Sequence, residues 1–431
     1  MTRCVVLVIS ILLAFAVEPA LAKVSLEIYG QSYKKVTIAT PPFKGDNAAA
    51  KIKGDMSDLL GKDLDMSGFF IVAPKTVMDR ELTEEGIDKK GIRFENWRSL
   101  GIELVCKGLL QVQDGGLVLE TYLYDSSDGT LLFGKRYRTK VDEWRRVVHI
   151  LADDIIQAVT GERGIMSSRV LFVGGDRRSK DVYIADLDGA ASRKLTDYGK
   201  ITVSPIMSPD GRYLAFTSYK DGRPNLYVID LERNREVYAN RENGMKLAAA
   251  WMDKRTLVYT HTSDKHSTIY AENLETKDRK VLLRQEGILT SPSFSTDGKK
   301  MVFVSDMYGT PQVFIRDLSS GDTKRLTYAG NYNTAPSLSP KGDLIAYGCK
   351  AEGGLEICVM KADGSEPRIL TEGGINDSPQ FSPCGRYIIY SSSNGSKTGL
   401  YLMLHNGDNR RALKLNSGEE TQPKLIPRGA L

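Results

Sequence analysis

Short hydrophobic runs separated by polar turns recur at a regular interval through the second half of this chain. A Ser-Pro-Asp-Gly turn at 208–211 has counterparts at 295–298, 339–343 and 382–385, with a degenerate copy at 252–254. The turns define a unit of roughly 43 residues, which is the usual length of a four-stranded propeller blade. Units that begin near 165, 200, 245, 288, 331 and 375 predict an all-β six-bladed β-propeller.

Each unit repeats one order of strands. An apolar strand follows the turn, at 213–217, 301–304, 344–347 and 387–390. A second apolar strand follows a Gly-bearing hairpin, at 226–229, 313–315, 357–359 and 400–402. The last strand is shorter and basic, at 193–196, 324–327, 368–371 and 411–413. We expect these basic runs on outer edge strands, where Lys and Arg oppose edge-to-edge pairing.

The two ends of the repeat region are complementary. Its first strand, 169–173, matches the second strand of a unit, and no Ser-Pro-Asp-Gly turn precedes it. The C-terminal stretch 421–429 matches the opening of a unit, as in 334–342. We therefore predict that the last strand completes the first blade, so that residues 165–431 form a closed propeller without exposed edges at the seam.

Residues 23–160 lack the repeat and predict a small α/β domain ahead of the propeller. Strands are expected at 36–40, 69–72, 102–106, 117–124 and 131–137. Apolar residues at helical spacing predict one helix over 48–64, with Asp46 as its N-cap, and a second over 141–159 that ends at Gly161. The segment 23–33 alternates apolar and polar residues, so it either adds a strand to a partner's sheet or forms an edge strand of its own domain.

The first 22 residues have the layout of a secretory signal peptide. Arg3 precedes an apolar run over 4–17, and Ala20-Leu21-Ala22 is a cleavage pattern. The run is shorter than the roughly 20 residues that span a bilayer. Cys4 stands at the start of the run and not after it, which argues against a lipoprotein anchor. The mature chain is therefore expected outside the cytoplasm.

Composition adds little chemistry to this picture. The 431 residues are 41% hydrophobic and 26% charged, with a formal net charge of +5, as in an ordinary globular protein. The basic residues recur at one place in the repeat, which indicates a solubilising rim and not a surface for nucleic acid. The four His are scattered and no CxxC occurs, so neither a structural zinc site nor a redox motif is predicted.

The cysteines pose one structural question. Cys349 and Cys358 flank a hairpin turn at 353–354 and, if the turn is centred there, face each other across two strands. They form either a cross-strand disulfide, which an oxidising compartment permits, or two buried thiols. Cys106 and Cys384 are expected to be unpaired.

Motifs for catalysis are missing from the sequence. GxSxG, GxxxxGK[ST], GxGxxG and HExxH do not occur, so we expect no enzyme activity, catalytic residue or cofactor. The stretch Asp186-Leu187-Asp188-Gly189 resembles part of a calcium loop, but Ile184 stands at the preceding ligand position, and a hairpin turn is predicted instead. No metal site is assigned from the sequence. Whether a cation binds weakly in the central channel is left open.

Polar loops precede the innermost strand of most units. They lie at 202–205, 290–292, 333–336, 376–379 and 420–423, and each ends in proline. Their small polar groups either present hydrogen bonds to a docked partner or cap strands and fill the channel. These loops contain no aromatic residue, which disfavours a carbohydrate or peptidoglycan binder. A propeller tied to a peptidase or hydrolase is the other alternative.

Taken together, the chain resembles the TolB family of periplasmic translocation proteins. The junction at 160–164 and the stretch 333–340 are the sharpest similarities. The resemblance implies a non-enzymatic periplasmic adaptor of the Tol-Pal system that supports outer-membrane integrity, protein import and envelope constriction during the cell cycle. It also implies a monomer that binds no nucleic acid and contacts membranes only through its partners.

The resemblance implies two partner sites. The segment after the signal peptide would bind the inner-membrane protein TolA through Lys23, Val24, Ser25, Leu26, Glu27 and Ile28. The propeller mouth would bind the peptidoglycan-associated lipoprotein, with other outer-membrane lipoproteins as further candidates. The residues implied there are Thr290, Ser291, Asn333, Thr334, Asn376 and Ser378.

Overall fold

The structure is a computed structural model that describes residues 28–29, 32–45, 52–113, 115–395, 397–427 and 429. The predicted signal peptide at 1–22 and the predicted N-cap Asp46 lie outside the described residues. The same holds for Lys23, Val24, Ser25, Leu26 and Glu27 of the implied TolA segment. Within the described ranges, no helix combines the length and apolar character needed to cross a membrane.

A mixed sheet forms the centre of the N-terminal α/β domain. Its strands are β3 Val36–Ala39, β4 Lys44–Gly45, β5 Phe70–Val72, β6 Leu104–Gln113, β7 Gly116–Asp125 and β8 Leu131–Lys140. The order is β5-β3-β6-β7-β8, and β4 also pairs with β6. The antiparallel run β6-β7-β8 is the one predicted from alternation, although β6 extends to Gln113. Two further strands, β1 Ile28–Tyr29 and β2 Ser32–Tyr33, pair with each other as a separate hairpin.

Helices cover both faces of this sheet. They are α1 Lys53–Ser67, α2 Arg80–Glu84, α3 Phe94–Ser99 and α4 Trp144–Thr160, with 3-10 turns at Lys75–Val77, Lys89–Gly91 and Val141–Glu143. Helices α1 and α4 pack on the face that carries Leu104 and Cys106, and α2 and α3 pack on the face that carries Val105 and Tyr124. The two long helices are the predicted ones, and Gly161 ends α4 with φ 76°, a conformation that glycine adopts without strain. The short helices α2 and α3 escaped prediction because one or two turns carry too little periodicity. Asp79 caps α2 by accepting a hydrogen bond from Leu82 N–H at 2.8 Å.

The second domain is a β-propeller. Its strands are β9 Arg169–Gly175, β10 Lys180–Asp186, β11 Arg193–Lys194, β12 Thr202–Met207, β13 Tyr213–Ser218, β14 Asn225–Asp230, β15 Arg235–Asn240, β16 Met245–Trp251, β17 Thr256–Ser263, β18 His266–Asn273, β19 Arg279–Glu286, β20 Leu289–Phe294, β21 Lys300–Ser305, β22 Gln312–Asp317, β23 Thr323–Arg325, β24 Asn333–Leu338, β25 Leu344–Ala351, β26 Gly354–Lys361, β27 Arg368–Ile369, β28 Gly374–Phe381, β29 Tyr387–Asn394, β30 Lys397–Leu404, β31 Arg411–Ala412 and β32 Thr421–Ile426.

Four sheets of the propeller are separate and four-stranded. Their orders are β11-β10-β9-β32, β12-β13-β14-β15, β16-β17-β18-β19 and β20-β21-β22-β23. Strands β24 to β31 form one connected sheet, because β26 and β28 make a short parallel pair at Gly354–Gly374 and Leu355–Ile375. The last strand, β32, pairs with β9 through Ile426 and Arg169 at one end. The chain's C-terminal strand thus lies innermost in the sheet that the start of the propeller builds.

Four outer edge strands of the propeller are short and basic, as the repeat predicts, whereas the edge strands β15 and β19 contain 6 and 8 residues. β11, β23, β27 and β31 each contain two or three residues with at least one Arg or Lys, and each lies at a sheet margin. The turn 186–189 is the predicted hairpin: Gly189 N–H donates to Asp186 O at 2.9 Å.

Cys349 and Cys358 form a disulfide, with Cα atoms 5.9 Å apart. They do not face each other directly, however. Ala351 pairs with Gly354, so the hairpin turn lies one residue earlier than predicted, and Cys349 stands opposite Glu356. The disulfide therefore joins diagonal positions of β25 and β26. Cys106 and Cys384 are free thiols, as expected.

One hydrophobic core runs through both domains. Buried residues of α1 and α4 pack with Tyr387, Leu402 and Leu404 of the propeller. Two hydrogen bonds fix this contact at the end of α1: Tyr387 Oη donates to Ser67 O at 3.0 Å, and Asn409 Nδ2 donates to Met66 O at 2.9 Å. The N-terminal domain is therefore packed against the side of the propeller.

Candidate functional site

One face of the propeller collects the loops that lead into the innermost strands. Because neighbouring strands in each sheet are antiparallel, the hairpins between second and third strands lie on this same face. We call this face the mouth; it carries the starts of β12, β16, β20, β24, β28 and β32. The Ser-Pro-Asp-Gly turns lie on the opposite face.

The innermost strands share an unusual backbone feature just inside the mouth. Each has a register shift typical of a β-bulge, and in five strands the bulge holds a non-glycine residue with positive φ followed by proline. The φ values are 53° at Ser204, 52° at Ser291, 46° at Ala335, 55° at Ser378 and 53° at Gln422. Strain of this kind persists only where the surrounding structure holds it. One such restraint joins the seam, since Ser204 N–H donates to Gln422 Oε1 at 2.7 Å.

The bulges open onto a cavity of about 970 Å³ in the central channel. It extends from the bulges to the turns of the opposite face. Of the residues implied from sequence, Thr290, Ser291 and Ser378 line it. Asn333, Thr334 and Asn376 do not.

Two ionisable side chains of the innermost strands have no oppositely charged partner within the described part of the chain. Lys424 lines the cavity, and Nζ donates to Gln380 Oε1. Desolvation lowers the pKa of Lys424 to about 8, with no carboxylate contributing. Desolvation likewise raises the pKa of Asp377, whose Oδ1 has no hydrogen-bond partner among the described residues. A partner that reaches into the channel therefore meets a poorly solvated base, Lys424, whereas Asp377 does not line the cavity.

Asn333 and Asn376 have a structural role in the free protein. Asn376 is fully buried, and Nδ2 donates to Glu356 Oε2 at 2.8 Å and to Gly373 O at 3.0 Å. Asn333 repeats the arrangement with Gln312 Oε1 at 2.9 Å and Ala329 O at 3.0 Å. Both side chains hold the loops that shape the mouth, and neither is exposed to a docking partner. Thr334 is half-buried.

Sequence reasoning missed the exposed aromatic side chains of the mouth. Tyr328 is 72% exposed and Tyr308 is 67% exposed, and the Arg325 guanidinium lies 4.9 Å from the first ring centroid and 5.7 Å from the second. We call Tyr308, Arg325 and Tyr328 the aromatic rim. Tyrosine and arginine are the side chains that most often dominate binding energy at protein interfaces.

Further exposed apolar residues surround the rim. Ile288, Met307, Tyr332 and Ile375 lie in mouth loops or at their margins, with exposures between 43% and 59%. The five loops named from sequence contain no aromatic residue, but the mouth does. Tyr328 and Tyr332 lie a few positions upstream of one of these loops, and Tyr308 lies in a hairpin. The sequence Tyr-Ala-Gly-Asn-Tyr at 328–332 could have indicated them.

The fold and site define a class: an α/β domain packed on a β-propeller whose channel and mouth carry accessible binding groups. Known families share this organisation. The TolB beta propeller domain matches residues 156–427, and the TolB amino-terminal domain matches residues 24–132. The chain therefore belongs to the TolB family.

Individual relatives agree with this membership. A TolB homolog of Chlorobium luteolum is 34% identical over 391 residues, covering 90% of this chain and 88% of the relative. The Tol-Pal system protein TolB of Desulfosudis oleivorans is 31% identical over 221 residues, 51% of this chain and 50% of the relative. The crystal structure of TolB from Acinetobacter baumannii superposes with a TM-score of 0.81 at 26% identity, covering 94% of this chain and 100% of that one. This chain is a TolB-type propeller protein rather than an enzyme.

Proposed function

We propose that this protein is a periplasmic adaptor of the Tol-Pal system that binds other proteins. Its propeller mouth would dock the outer-membrane peptidoglycan-associated lipoprotein, and its N-terminal segment from Lys23 to Ile28 would bind TolA of the inner membrane. The adaptor would thereby support outer-membrane integrity and constriction of the envelope at division. Relatives named as Tol-Pal system proteins support this role.

The aromatic rim is the observation that carries the proposal. Tyr308 and Tyr328 are large, largely exposed side chains on either side of a guanidinium. The rim lies at the outer edge of its sheet, on the same face as the entrance to the channel that holds the poorly solvated Lys424. A protein loop can cover the tyrosines while its polar tip reaches the channel, which combines an apolar anchor with polar specificity.

Calorimetric titration of the mature protein, starting at Lys23, with the soluble lipoprotein domain tests the mouth. We expect saturable binding that Tyr328→Ala weakens by at least roughly tenfold, as at an interface hot spot. Val281→Ala is the matched control, because Val281 is 50% exposed on the outermost strand β19 and does not line the cavity. Equal affinities of the two variants, or no binding at high micromolar concentrations, would refute docking at the mouth.

TolA binding concerns a different part of the chain and needs its own test. Ile28 is the first described residue of the segment and belongs to the β1–β2 hairpin. A mature protein that starts at Tyr29 should lose TolA binding and keep lipoprotein binding. Retention of TolA binding by that variant would remove the segment from the proposal.

Exposed tyrosines also favour a second candidate, a propeller that binds peptidoglycan or another carbohydrate, since aromatic faces stack on sugars. Muropeptides titrated under the same conditions separate the candidates. Saturable muropeptide binding that Tyr328→Ala abolishes, without lipoprotein binding, would replace the adaptor with a glycan-binding function.

The finer architecture is also proposed. The four-stranded sheets and the two halves of the β24–β31 sheet, joined only through β26 and β28, support six blades. We propose a signal peptide at 1–22, an α/β domain at 23–160 and a six-bladed propeller at 165–431 that the C-terminal strand closes. Mass spectrometry of the exported protein would test the cleavage after Ala22.

A further inference from the structure

A buried histidine lies where the two domains meet. His149 is on α4, its side chain is 3% exposed, and Nδ1 lies 2.7 Å from Oδ2 of the buried Asp63 on α1. Its other ring nitrogen points towards the propeller, 3.6 Å from Asp188 Oδ2. Nε2 has no hydrogen-bond partner among the described residues.

The atoms around Nε2 form a compact donor set. His149, Asp186 and Asp188 each offer a ligand atom, and these atoms lie within 4.8 Å of one another. Asp186 ends β10 and Asp188 lies in the hairpin that follows, so the turn places both carboxylates against α4. Donors around a tetrahedral zinc stand roughly 3.4 Å apart. The 3.6 Å between Nε2 and Asp188 Oδ2 fits this spacing, and an Asp186 oxygen lies within 4.8 Å of both atoms.

Asp63 gives the histidine the orientation that a metal ligand needs. An ionised Asp63 accepts the Nδ1 proton, which leaves the lone pair on Nε2, facing the two carboxylates. Carboxylate–histidine–metal arrangements of this kind recur in zinc proteins, where the outer carboxylate fixes the tautomer. The burial of an unpartnered Nε2 in the same place is an independent indication that the site binds a ligand.

We propose that His149, Asp186 and Asp188 form a binding site for Zn²⁺ or a chemically similar divalent metal that joins α4 of the N-terminal domain to the first hairpin of the propeller. One imidazole nitrogen and two carboxylate oxygens are ligands that Zn²⁺ accepts, with water in the fourth position. The site is separate from the mouth, so it does not depend on the adaptor role.

Arginine side chains set the affinity of this site. Arg169 Nε binds Asp186 Oδ1 at 3.2 Å, which leaves the second oxygen for the metal. Arg145 contacts Asp188 Oδ2, the oxygen that also faces Nε2. Metal binding must displace Arg145, whose side chain is 39% exposed and can turn to solvent. Removal of Arg145 should therefore tighten metal binding.

The test is calorimetric titration of the mature protein with Zn²⁺ alone, with Co²⁺ absorption as a second readout. We expect one site per chain that His149→Gln weakens by at least roughly tenfold, and Asp63→Asn by about 10–100-fold as for an outer-shell ligand. Arg145→Gln should bind more tightly than wild type. Arg146→Gln is its control, because Arg146 lies on the same helix turn but pairs only with Glu143 among the described residues.

Circular dichroism verifies that each variant is folded. Should His149→Gln unfold, the comparison of Arg145→Gln with Arg146→Gln still decides the question. The assignment is overturned if Zn²⁺ does not bind saturably, if His149→Gln binds as wild type does, or if the two arginine variants bind equally. Binding of Ca²⁺ that Zn²⁺ cannot displace would also overturn it.

Discussion

Replacement of Glu356 by alanine should destabilise the propeller through the loop that leads into β28. The Glu356 carboxylate is 2% exposed and accepts three hydrogen bonds: from Thr371 Oγ1 at 2.6 Å, Gly373 N–H at 2.7 Å and Asn376 Nδ2 at 2.8 Å. Alanine leaves all three donors without this acceptor. The carboxylate thus connects β26 to the loop that follows edge strand β27 and to the innermost strand β28.

The size of the stability loss depends on which of the three donors water can reach after the substitution. Gly373 is exposed, so water can replace the lost acceptor there. Thr371 and Asn376 are buried, and each unsatisfied donor costs about 1–3 kcal/mol. Relief of the buried charge offsets part of this loss. We expect Glu356→Ala to lower the free energy of unfolding by about 3 kcal/mol, or the Tm by roughly 6–10 °C.

The isosteric variant Glu356→Gln tests whether the charge or the hydrogen bonds of Glu356 matter more. Gln312 stands at the equivalent place in the β20–β23 sheet, where Oε1 accepts from Thr327 and Asn333 and Nε2 donates to Gly330 O at 3.2 Å. In Glu356→Gln the amide group would instead face the N–H of Gly373. We expect this variant to lose about half as much stability as Glu356→Ala.

Thermal and urea unfolding followed by circular dichroism measure both variants. The exposed Glu352, in the hairpin that precedes β26, supplies the control Glu352→Ala, which should change the free energy of unfolding by less than about 0.5 kcal/mol. A loss for Glu356→Ala as small as that of the control would refute the account of the buried network.

Three further predictions concern stability. The Cys349–Cys358 disulfide closes a sequence separation of 9 residues, so a reductant should lower the free energy of unfolding by roughly 2–3 kcal/mol. Cys384→Ser should lose as much stability to the reductant as wild type does. If the Cys349→Ser/Cys358→Ser double variant loses equally much, the prediction is contradicted. Lys424 has a folded pKa of about 8 against an ordinary 10.5, so its charge destabilises the fold below pH 8, and Lys424→Met should be more stable by about 2 kcal/mol at pH 7. The extra stability of Lys424→Met should shrink as the pH rises from 8 to 10.5, because in this range the unfolded wild-type protein binds more protons than the folded one. If urea unfolding shows a stability difference that does not change with pH, the charge on Lys424 is not its cause. Gly68→Ala should lower the Tm more than Gly101→Ala does. Both glycines have positive φ, but only a Cβ at Gly68 would meet Asn409 Nδ2, at 2.8 Å. Equal losses of Tm would show that Asn409 moves aside at no cost in stability.

Much of the fold and part of the site could be predicted from sequence. The strands that contain 213–217 and 387–390, the basic edge strands and the long helix α4 follow from local patterns, because alternation, turn chemistry and helical periodicity act over a few residues. The polar loops of the mouth were visible for the same reason. Their individual roles were not: Asn333 and Asn376 precede proline-containing bulges just as Thr290 and Ser291 do, yet the structure buries the two asparagines.

The sequence by itself determined that this chain builds repeated four-stranded units and a preceding α/β domain, since each unit has its own turns and apolar strands. Tertiary structure alone decided what the units bring together. The aromatic rim forms because a hairpin and a loop 20 residues apart meet on one face, with Arg325 between Tyr308 and Tyr328. His149 meets Asp63 because α1 packs against α4, and it meets Asp188 because both domains share one core. Such contacts depend on how whole elements pack, and no periodicity along the chain encodes them.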